Sequence, residues 1–511
     1  MRSGFTTLEV IIAMAIMVIV LSAVVLVSFG NQISLAGSEA TAEALKRAQA
    51  LVERQQALAR KDFSLVNATT STDGFYTDAV SVNLRPDFST KEVTVDVTWT
   101  NERGLEQGVE LKTLVTDFGS SAGGSTCNSS LSGDWTVPEI ETYALNSSDL
   151  LSSSETGTYP VTDLDAHRGK LYVTAGPTVG NTDKTFFVFD ITNQSVRPVY
   201  VAGTDNAGST RSGLNAVKVA GSYAYVANAH DANFNSCSVG PSCSQLQIID
   251  VSSPTSGWNP AIVSLKLATS TEGRVNAFGG SGNAVGKSIF YKDGYVYLGL
   301  SRTSSGPEFH VIDVHTPLSP FWVGSWPASG VSSLQPVNAL FVRGGYAYLA
   351  HPTDSSNSPQ EQLTILNVVD PRSPARVSGF HAGDNSGNGK SLALVGDLLY
   401  LGRTETVFSS NHEFHVLNIS DPTGPLGAAL GSYGTDESIN DVLVRDYLSF
   451  LLTNDSLEIL RTDNLSSVTQ YSSVSLPGAS VGRTLDCEGN YLYVGSTDAS
   501  GNGYITVITG S

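Results

Sequence analysis

Residues 214–226 read LNAVKVAGSYAYV, which predicts a short strand, a tight turn and a second strand rich in aromatic and aliphatic residues. Six more stretches repeat this form, and their aligned aromatic residues recur at intervals of 43 to 72 residues, most of them close to 50. Self-similarity at this period predicts one small sheet per repeat, and seven copies predict a seven-bladed β-propeller. The other six stretches are VTDLDAHRGKLYV (161–173), GKSIFYKDGYVYL (286–298), VNALFVRGGYAYL (337–349), GKSLALVGDLLYL (389–401), INDVLVRDYLSFL (439–451) and GRTLDCEGNYLYV (482–494).

A third predicted strand follows each of these stretches, and it often ends in an acid or amide with a proline after it. LQIIDVSSP (246–254), FHVIDVHTP (309–317) and FHVLNISDP (414–422) are examples. The pattern resembles the LVIVD-repeat family of β-propellers over residues 160–508, with LQIIDVSSP as the best match. The resemblance implies a propeller domain at residues 134–511. Repeat six departs from the pattern, because Arg461 stands where other repeats have Asp or Asn.

A fourth strand is predicted in every repeat except the last, where the sequence stops at Ser511. A propeller can satisfy the edge of such a blade when a strand from one terminus completes the sheet formed by the other. Residues 137–145, VPEIETYAL, precede the first repeat and have a suitable alternation. We therefore predict that they form the outer strand of blade seven.

The chain has four cysteines, Cys127, Cys237, Cys243 and Cys487, which allow three disulfide connectivities. Cys237 and Cys243 are close together in one loop, so we expect them to pair and to leave Cys127 for Cys487. The second bond would lock the closure of the propeller. Such bonds form outside the reducing cytoplasm, where the N-terminal segment is expected to send the chain.

The first thirty residues, MRSGFTTLEVIIAMAIMVIVLSAVVLVSFG, contain an uncharged run from Val10 to Phe29. As a helix this run would span a bilayer core of about 30 Å. Gly4, Phe5 and Glu9 precede it, and the stretch resembles the N-terminus of type IV pilins and pseudopilins. The resemblance implies cleavage after Gly4 by prepilin peptidase and methylation of Phe5. It also implies that Glu9 meets the free N-terminal amine of a neighbouring subunit during assembly.

Composition and periodicity predict the other domain boundaries. After the leader, residues 1–4, one long transmembrane and assembly helix is expected over residues 5–61. Alternation in EVTVDVTWT and VELKTLVTDF predicts a hairpin, and residues 62–117 are expected to form a small antiparallel, pilin-like sheet. Residues 118–133 are rich in Gly and Ser and predict a flexible linker. The predicted fold is mainly β with a long N-terminal α-helix, a small α+β pilin-like head and then the propeller.

Several motifs that suggest catalysis or ligand binding do not fit their context. The G-x-S-x-G at residues 478–482 lies in a loop before a blade rather than between a strand and a helix. The GKS runs at 286–288 and 389–391 lack the upstream glycine of a phosphate-binding loop and stand where blades begin. The calcium-like spacing at 231–235 lacks the glycine and the distal Glu. We therefore expect no catalytic residue, no metal and no cofactor.

The long polar loops between second and third strands and between fourth and first strands should share one rim of the propeller. Loops held by a rigid scaffold commonly bind ligands, although each such loop could equally be a solvated connector. Our candidate ligand-binding residues on this rim are His230, Asp231, Asn233, His351 and Asp384.

The formal net charge of −19 argues against nucleic acid as a partner. The resemblances together imply a minor pilin that displays a non-catalytic, adhesive or ligand-binding propeller. Its partners would be other pilin subunits, prepilin peptidase, the inner membrane before assembly and an unknown surface ligand. It would be a single-pass membrane precursor and then part of an extracellular filament. Two alternatives stay open: a type II secretion pseudopilin whose propeller binds cargo, and a propeller hydrolase tethered at the surface.

Overall fold

The chain divides into two compact units, Met1–Pro86 with Thr90–Thr116, and Asp87–Ser89 with Asp117–Ser511. The structure is a computed structural model. It describes residues 40–56, 58–59, 66–84, 90–101, 104–116, 127, 131–152, 157–176, 184–194, 197–204, 213–228, 244–265, 267, 285–301, 307–326, 336–353, 361–383, 387–406 and 412–511. The predictions on Gly4, Phe5, Glu9, Cys237 and Cys243 lie outside these residues.

The described part of the first unit is a helix and an antiparallel sheet. Helix α1 covers residues 40–56, and residues 58–59 are also helical. The sheet has the order β1-β2-β3-β4, in which every strand pairs with its neighbour along the chain. Its strands are β1 (Thr69–Asp73), β2 (Tyr76–Leu84), β3 (Thr90–Thr100) and β4 (Glu106–Thr116).

One apolar face of β3 forms the centre of this unit. Val93, Val95 and Val97 are fully buried, and they alternate with more exposed residues as the period of a half-buried strand requires. Ala44 and Ala48, one turn apart on α1, are fully buried in the same cluster. The predicted hairpin is therefore confirmed as β3 and β4. Strand β1 was not predicted, because its sequence TTSTD is exposed at every position and has no apolar alternation.

The long N-terminal helix predicted for residues 5–61 is described only from residue 40 onward. Within the described residues, no helix is long and apolar enough to cross a membrane. The apolar run at residues 10–29 lies outside them.

The second unit is a propeller-like array of seven four-stranded antiparallel sheets, which we call blades one to seven. In blades one to six the strands pair in chain order. Their strands are β6 (Val161–His167), β7 (Lys170–Ala175), β8 (Phe186–Asp190) and β9 (Val199–Thr204) in blade one; β10 (Leu214–Ala220), β11 (Tyr223–Asn228), β12 (Leu246–Asp250) and β13 (Ile262–Leu265) in blade two; β14 (Gly286–Lys292), β15 (Tyr295–Leu300), β16 (Phe309–Asp313) and β17 (Phe321–Trp326) in blade three; β18 (Ala339–Arg343), β19 (Tyr346–Ala350), β20 (Leu363–Asn367) and β21 (Ala375–Phe380) in blade four; β22 (Gly389–Val395), β23 (Leu398–Arg403), β24 (Phe414–Asn418) and β25 (Gly431–Tyr433) in blade five; and β26 (Asp441–Arg445), β27 (Leu448–Leu452), β28 (Ser456–Arg461) and β29 (Thr469–Ser475) in blade six.

Blade seven contains β30 (Val481–Glu488), β31 (Tyr491–Thr497) and β32 (Gly503–Thr509), with β5 (Glu139–Ala144) as its outer strand. The first strand of each blade lies against the first strand of the next, and β30 lies against β6. These contacts close the seven sheets into a ring. The predicted closure strand is confirmed, because β5 pairs with β32 from Glu139 opposite Thr509 to Ala144 opposite Tyr504.

The segment before β5 is fastened to blade seven at several points. Cys127 and Cys487 form a disulfide with a Cα–Cα distance of 5.4 Å across 360 residues of sequence. Trp135 is almost fully buried, and its ring meets Phe450 of blade six edge-on at 5.2 Å. The backbone of Asp134 also bonds to Ser511, with an N···O distance of 2.8 Å. The segment before β5 is therefore held to blades six and seven by covalent, apolar and backbone contacts.

Candidate functional site

The first strands of the seven blades surround a central cavity of about 160 Å³. Each strand contributes one apolar side chain at the same position of its repeat, and all seven line the cavity with little exposure. We call this set the apolar ring: Leu164, Val217, Ile289, Leu340, Leu392, Val442 and Leu485. Polar side chains on the same strands lie beside the apolar ring and give the cavity its charge.

One group of charged residues comes from four adjacent blades. It consists of Asp163 and Asp165 of blade one, Lys218 of blade two, Asp441 of blade six and Asp486 of blade seven, and we call it the acid cluster. Lys218 forms an ion pair with Asp165. Each carboxylate also accepts a hydrogen bond from a backbone N–H of the next blade: Asp163 from Val217 (2.8 Å), Asp165 from Val219 (2.9 Å), Asp441 from Leu485 (2.7 Å) and Asp486 from Ala166 (2.8 Å). The acid cluster therefore braces blades six, seven, one and two against one another.

Burial changes the ionisation of this cluster. It raises the pKa of the Asp163 carboxyl to about 6 and that of Asp441 to about 7. It also raises the pKa of Asp486, although the nearby Lys218 ammonium opposes that rise. Burial alone would lower the pKa of Lys218, but Asp165 and Asp486 outweigh it and hold this pKa above its ordinary value. Lys218 therefore stays charged while two of its acidic neighbours titrate near neutral pH.

The variant Asp441→Asn is expected to gain stability relative to wild type as the pH rises. The folded-state pKa of Asp441, about 7, lies above the ordinary value of 3.8, so the stability gained from binding this proton is present at low pH and lost as the pH rises through 7. Because Asn does not titrate, the unfolding free energy of the variant minus that of wild type should rise by about 1–3 kcal/mol between about pH 5 and pH 9. Denaturant titrations at both pH values measure it.

The exposed Asp463 supplies a matched control, since its hydrogen bond to Arg461 lowers its carboxyl pKa. Asp463→Asn should not show the rise. A difference between Asp441→Asn and wild type that is independent of pH, or that falls as the pH increases, would contradict the ionisation described for the acid cluster.

A second layer of polar residues lies where the first strands begin. Each blade contributes one residue to this layer. In five blades that residue is the extra residue of a β-bulge, which the register of the neighbouring strand skips. A bulge turns a side chain away from the regular pleat. We call the seven residues at this position the mouth ring: Thr162, Asn215, Lys287, Asn338, Lys390, Asn440 and Arg483.

Hydrogen bonds connect the mouth ring from blade to blade. The amides of Asn215 and Asn338 donate to the backbone carbonyls of Gly286 and Gly389 at 2.7 and 2.6 Å. The ammonium groups of Lys287 and Lys390 donate to the amide oxygens of Asn338 and Asn440. These bonds connect the polar layer from blade two to blade six, at the end of the channel where the first strands start.

The mouth ring carries three positive charges, on Lys287 of blade three, Lys390 of blade five and Arg483 of blade seven. None of these residues forms an ion pair within the described part of the chain. Burial lowers the pKa of Lys287. The pKa of Lys390 is also lowered, mainly by burial and then by the positive charges of Arg483 and Lys287. The Lys390 ammonium is therefore repelled by both of the other cations.

The structure describes only one of the five rim residues predicted to bind a ligand. His351 is almost fully buried between the strands of blade four, where its Nε2 lies 2.8 Å from Thr364 Oγ1 and its Nδ1 2.9 Å from the Pro352 carbonyl. Burial lowers its pKa. This placement corrects the prediction, because His351 packs within a blade instead of lining an open rim. His230, Asp231, Asn233 and Asp384 lie outside the described residues.

The GKS and G-x-S-x-G motifs lie at or just before the starts of blades, as the sequence predicts. Both GKS runs begin first strands, β14 and β22, and their lysines are members of the mouth ring. Ser480 of the G-x-S-x-G stretch is buried, and its hydroxyl donates to Ser496 Oγ at 3.0 Å. Among the described residues, Cys127, Asp486 and Cys487 have the proximity of metal ligands, but the two sulfurs are joined in the disulfide.

Comparison with known proteins finds one matching repeat and one similar structure. Residues 213–231, which include β10 and β11 of blade two, match the LVIVD repeat. No curated protein matches the chain. The WD40 β-propeller domain of Doa1 is similar in structure, with a TM-score of 0.45 and 12% identity over 74% of this chain and 98% of that domain. The family match supports the propeller part of the resemblance, and the strand pairing described above carries the fold.

Proposed function

We propose that the second unit is a seven-bladed propeller that binds a ligand at the mouth ring without catalysing a reaction. The observation that carries this proposal is a closed ring of sheets whose first strands begin in a polar layer with three cations, none of which forms an ion pair among the described residues. The charges of Lys287 and Lys390 are costly to keep in their half-buried positions unless they serve a ligand or a structural bond.

The hydrogen bonds of the acid cluster support a binding role over a catalytic one. All four aspartates accept backbone N–H bonds from adjacent blades, so their oxygens are already engaged in holding the ring. Ser480 is buried and hydrogen-bonded rather than exposed on a strained turn, as a nucleophile would need to be. These contacts favour a binding module over the hydrolase alternative.

We infer that this propeller is carried by a minor pilin of type IV kind. Gly4, Phe5 and Glu9 supply the processing and assembly signals, and the run from Val10 to Phe29 supplies the apolar helix. In the first unit α1 packs on a four-stranded antiparallel sheet, an arrangement compatible with a small pilin head. A propeller added to this head is bulky, which suits a subunit present at a filament tip or at occasional positions better than one repeated throughout.

The variant Glu9→Ala tests the assembly role. A carboxylate beside an apolar helix costs about 2.5–3.5 kcal/mol in lipid unless it is paired, so the proposal assigns it the amine of a neighbouring subunit as partner. We expect Glu9→Ala to be made, inserted and folded at wild-type levels but to be absent from sheared filaments, as measured by immunoblotting of the filament fraction. Glu53→Ala, which removes an exposed acid of α1, serves as the control and should enter filaments normally. Normal incorporation of Glu9→Ala would contradict the assembly role.

A further inference from the structure

We propose that the mouth ring is a receptor for a single oxyanionic group, a carboxylate, phosphate or sulfate, on a small ligand, with Lys287, Lys390 and Arg483 as its binding residues. This inference deepens the proposed binding function and rests on it. The three cations stand on alternate blades, three, five and seven, at the same position of each repeat. They therefore surround the channel rather than forming a patch on one side of it.

The geometry shows that the positive charge is not needed to brace the ring. The neutral amides of Asn215 and Asn338 already link neighbouring blades through bonds of 2.7 and 2.6 Å from equivalent positions. Lys287 and Lys390 make comparable links to neutral amide oxygens, which leave their charges uncompensated. A neutral donor could do the same structural work at lower desolvation cost. An anionic ligand accounts for the charge that bracing leaves unexplained.

The apolar layer beside the mouth ring strengthens its attraction for an anion. The seven members of the apolar ring follow the mouth ring two residues further along the first strands and line the central cavity with Leu, Ile and Val side chains. Apolar surroundings lower the local dielectric, so that a charge pair there is stronger than the same pair in open water. An oxyanion at the mouth would also receive N–H donors from Asn215, Asn338 and Asn440 if their amides turned from their present acceptors.

The overall charge limits the size of the ligand. The chain has a net charge of −19, which repels a long polyanion such as nucleic acid or an extended acidic polymer. Against this background a ring of three cations favours one compact anionic group that can enter the mouth. Carboxylate, phosphate and sulfate share the required chemistry, and a set of probes distinguishes them.

Isothermal titration of the full chain in detergent with citrate, inorganic phosphate and sulfate tests the proposal. We expect saturable binding of one equivalent of at least one probe, with a Kd in the millimolar range or below and weaker binding at higher NaCl concentration. The order of the three affinities identifies the class of ligand: citrate for a carboxylate, phosphate for a phosphorylated ligand and sulfate for a sulfated one. If none of the probes binds saturably at concentrations up to about 10 mM, the proposal is wrong.

Charge variants at one position separate the site from a general charge effect. Lys390→Gln keeps a polar N–H donor but removes the charge, and it should raise the Kd about tenfold or more. Lys390→Arg keeps the charge and should stay within a few fold of wild type. Arg461→Gln removes one positive charge from the outer region of blade six, where Arg461 pairs with Asp463, and should leave the Kd unchanged. An equal loss of affinity in Arg461→Gln would overturn the assignment.

The matched folding measurement is the melting temperature of each variant without ligand. Lys287→Gln provides a second charge removal on a different blade, so that the assignment does not depend on one substitution. Failure of anion binding would leave filament incorporation of the chain untouched, whereas failure of the display role would leave anion binding intact. The two proposals can therefore fail separately.

Discussion

Deletion of residues 134–146 is expected to remove most of the stability of the propeller. The segment supplies β5, the outer strand of blade seven, and two buried side chains, Trp135 and Leu145. Truncation of one large buried residue costs about 2–5 kcal/mol. The deletion removes both side chains and all hydrogen bonds between β5 and β32. The combined cost should approach the 5–15 kcal/mol that stabilises a typical domain. We expect the calorimetric transition of the propeller to fall by tens of degrees or to disappear.

A matched substitution separates the closure from other effects of the deletion. Val137 is 69% exposed, and Val137→Ala should leave the melting temperature within a few degrees of wild type. Trp135→Ala should produce part of the effect, because the ring of Trp135 packs against Phe450 and its indole N–H donates to the Ser132 carbonyl at 3.0 Å. An unchanged transition after deletion of residues 134–146 would show that the ring does not depend on β5.

Replacement of Lys218 by Met is expected to be the most destabilising single change in the channel. Lys218 is the cation of the acid cluster, and Asp165, with which it pairs, has a side chain only 1% exposed. Removing one partner of a buried ion pair costs about 3–5 kcal/mol, because the other charge stays buried without compensation. Denaturant unfolding at neutral pH should show that the free energy of unfolding falls by this amount. The difference from wild type should shrink at acidic pH as the remaining carboxylates become protonated.

The double variant Lys218→Met with Asp165→Asn tests whether the cost comes from the unpaired charge. Asn at position 165 keeps an acceptor for the Val219 N–H and removes the charge that Lys218 balanced. Most of the stability lost in Lys218→Met should return, which appears in a double-mutant cycle as a large coupling energy. Additive losses in the double variant would mean that Lys218 stabilises the channel by packing alone.

The repeat architecture could be predicted from sequence because every blade buries the same pattern. The aligned Tyr172, Tyr225 and Phe450 lie in second strands and are buried in three different blades. The closing strand followed from the requirement that a propeller leave no blade edge unpaired. Strand β1 could not be found in this way, since its pairing with β2 contributes no apolar face that the sequence would reveal.

The candidate site was harder to predict, because it is assembled from single residues of separate repeats. In the sequence, Lys287 and Lys390 stand out only as parts of the GKS runs, and Arg483 belongs to no such run. The signal is present in the aligned stretches, where the second residue reads Thr, Asn, Lys, Asn, Lys, Asn and Arg. Its meaning depends on the β-bulge that turns this residue out of the regular pleat, and sequence periodicity does not predict a bulge.

Burial also explains why His351 was a poor candidate. The sequence places it directly after a second strand, where a rim loop should begin. In the structure its ring is held by Thr364 of the neighbouring third strand, because the strand pairing continues one residue further than alternation predicts, with the His351 N–H bonded to the Gln362 carbonyl at 3.1 Å. A polar residue at a strand end can therefore satisfy the blade rather than a ligand.

The central claim is that a closed propeller is displayed on a filament by a pilin-type N-terminus. Immunogold labelling of purified filaments with an antibody to the propeller tests it most directly. The account predicts gold particles at filament ends or at sparse positions in wild type and none on filaments made with Glu9→Ala. Filaments without any label in wild type, with the propeller found only in membranes or medium, would contradict it.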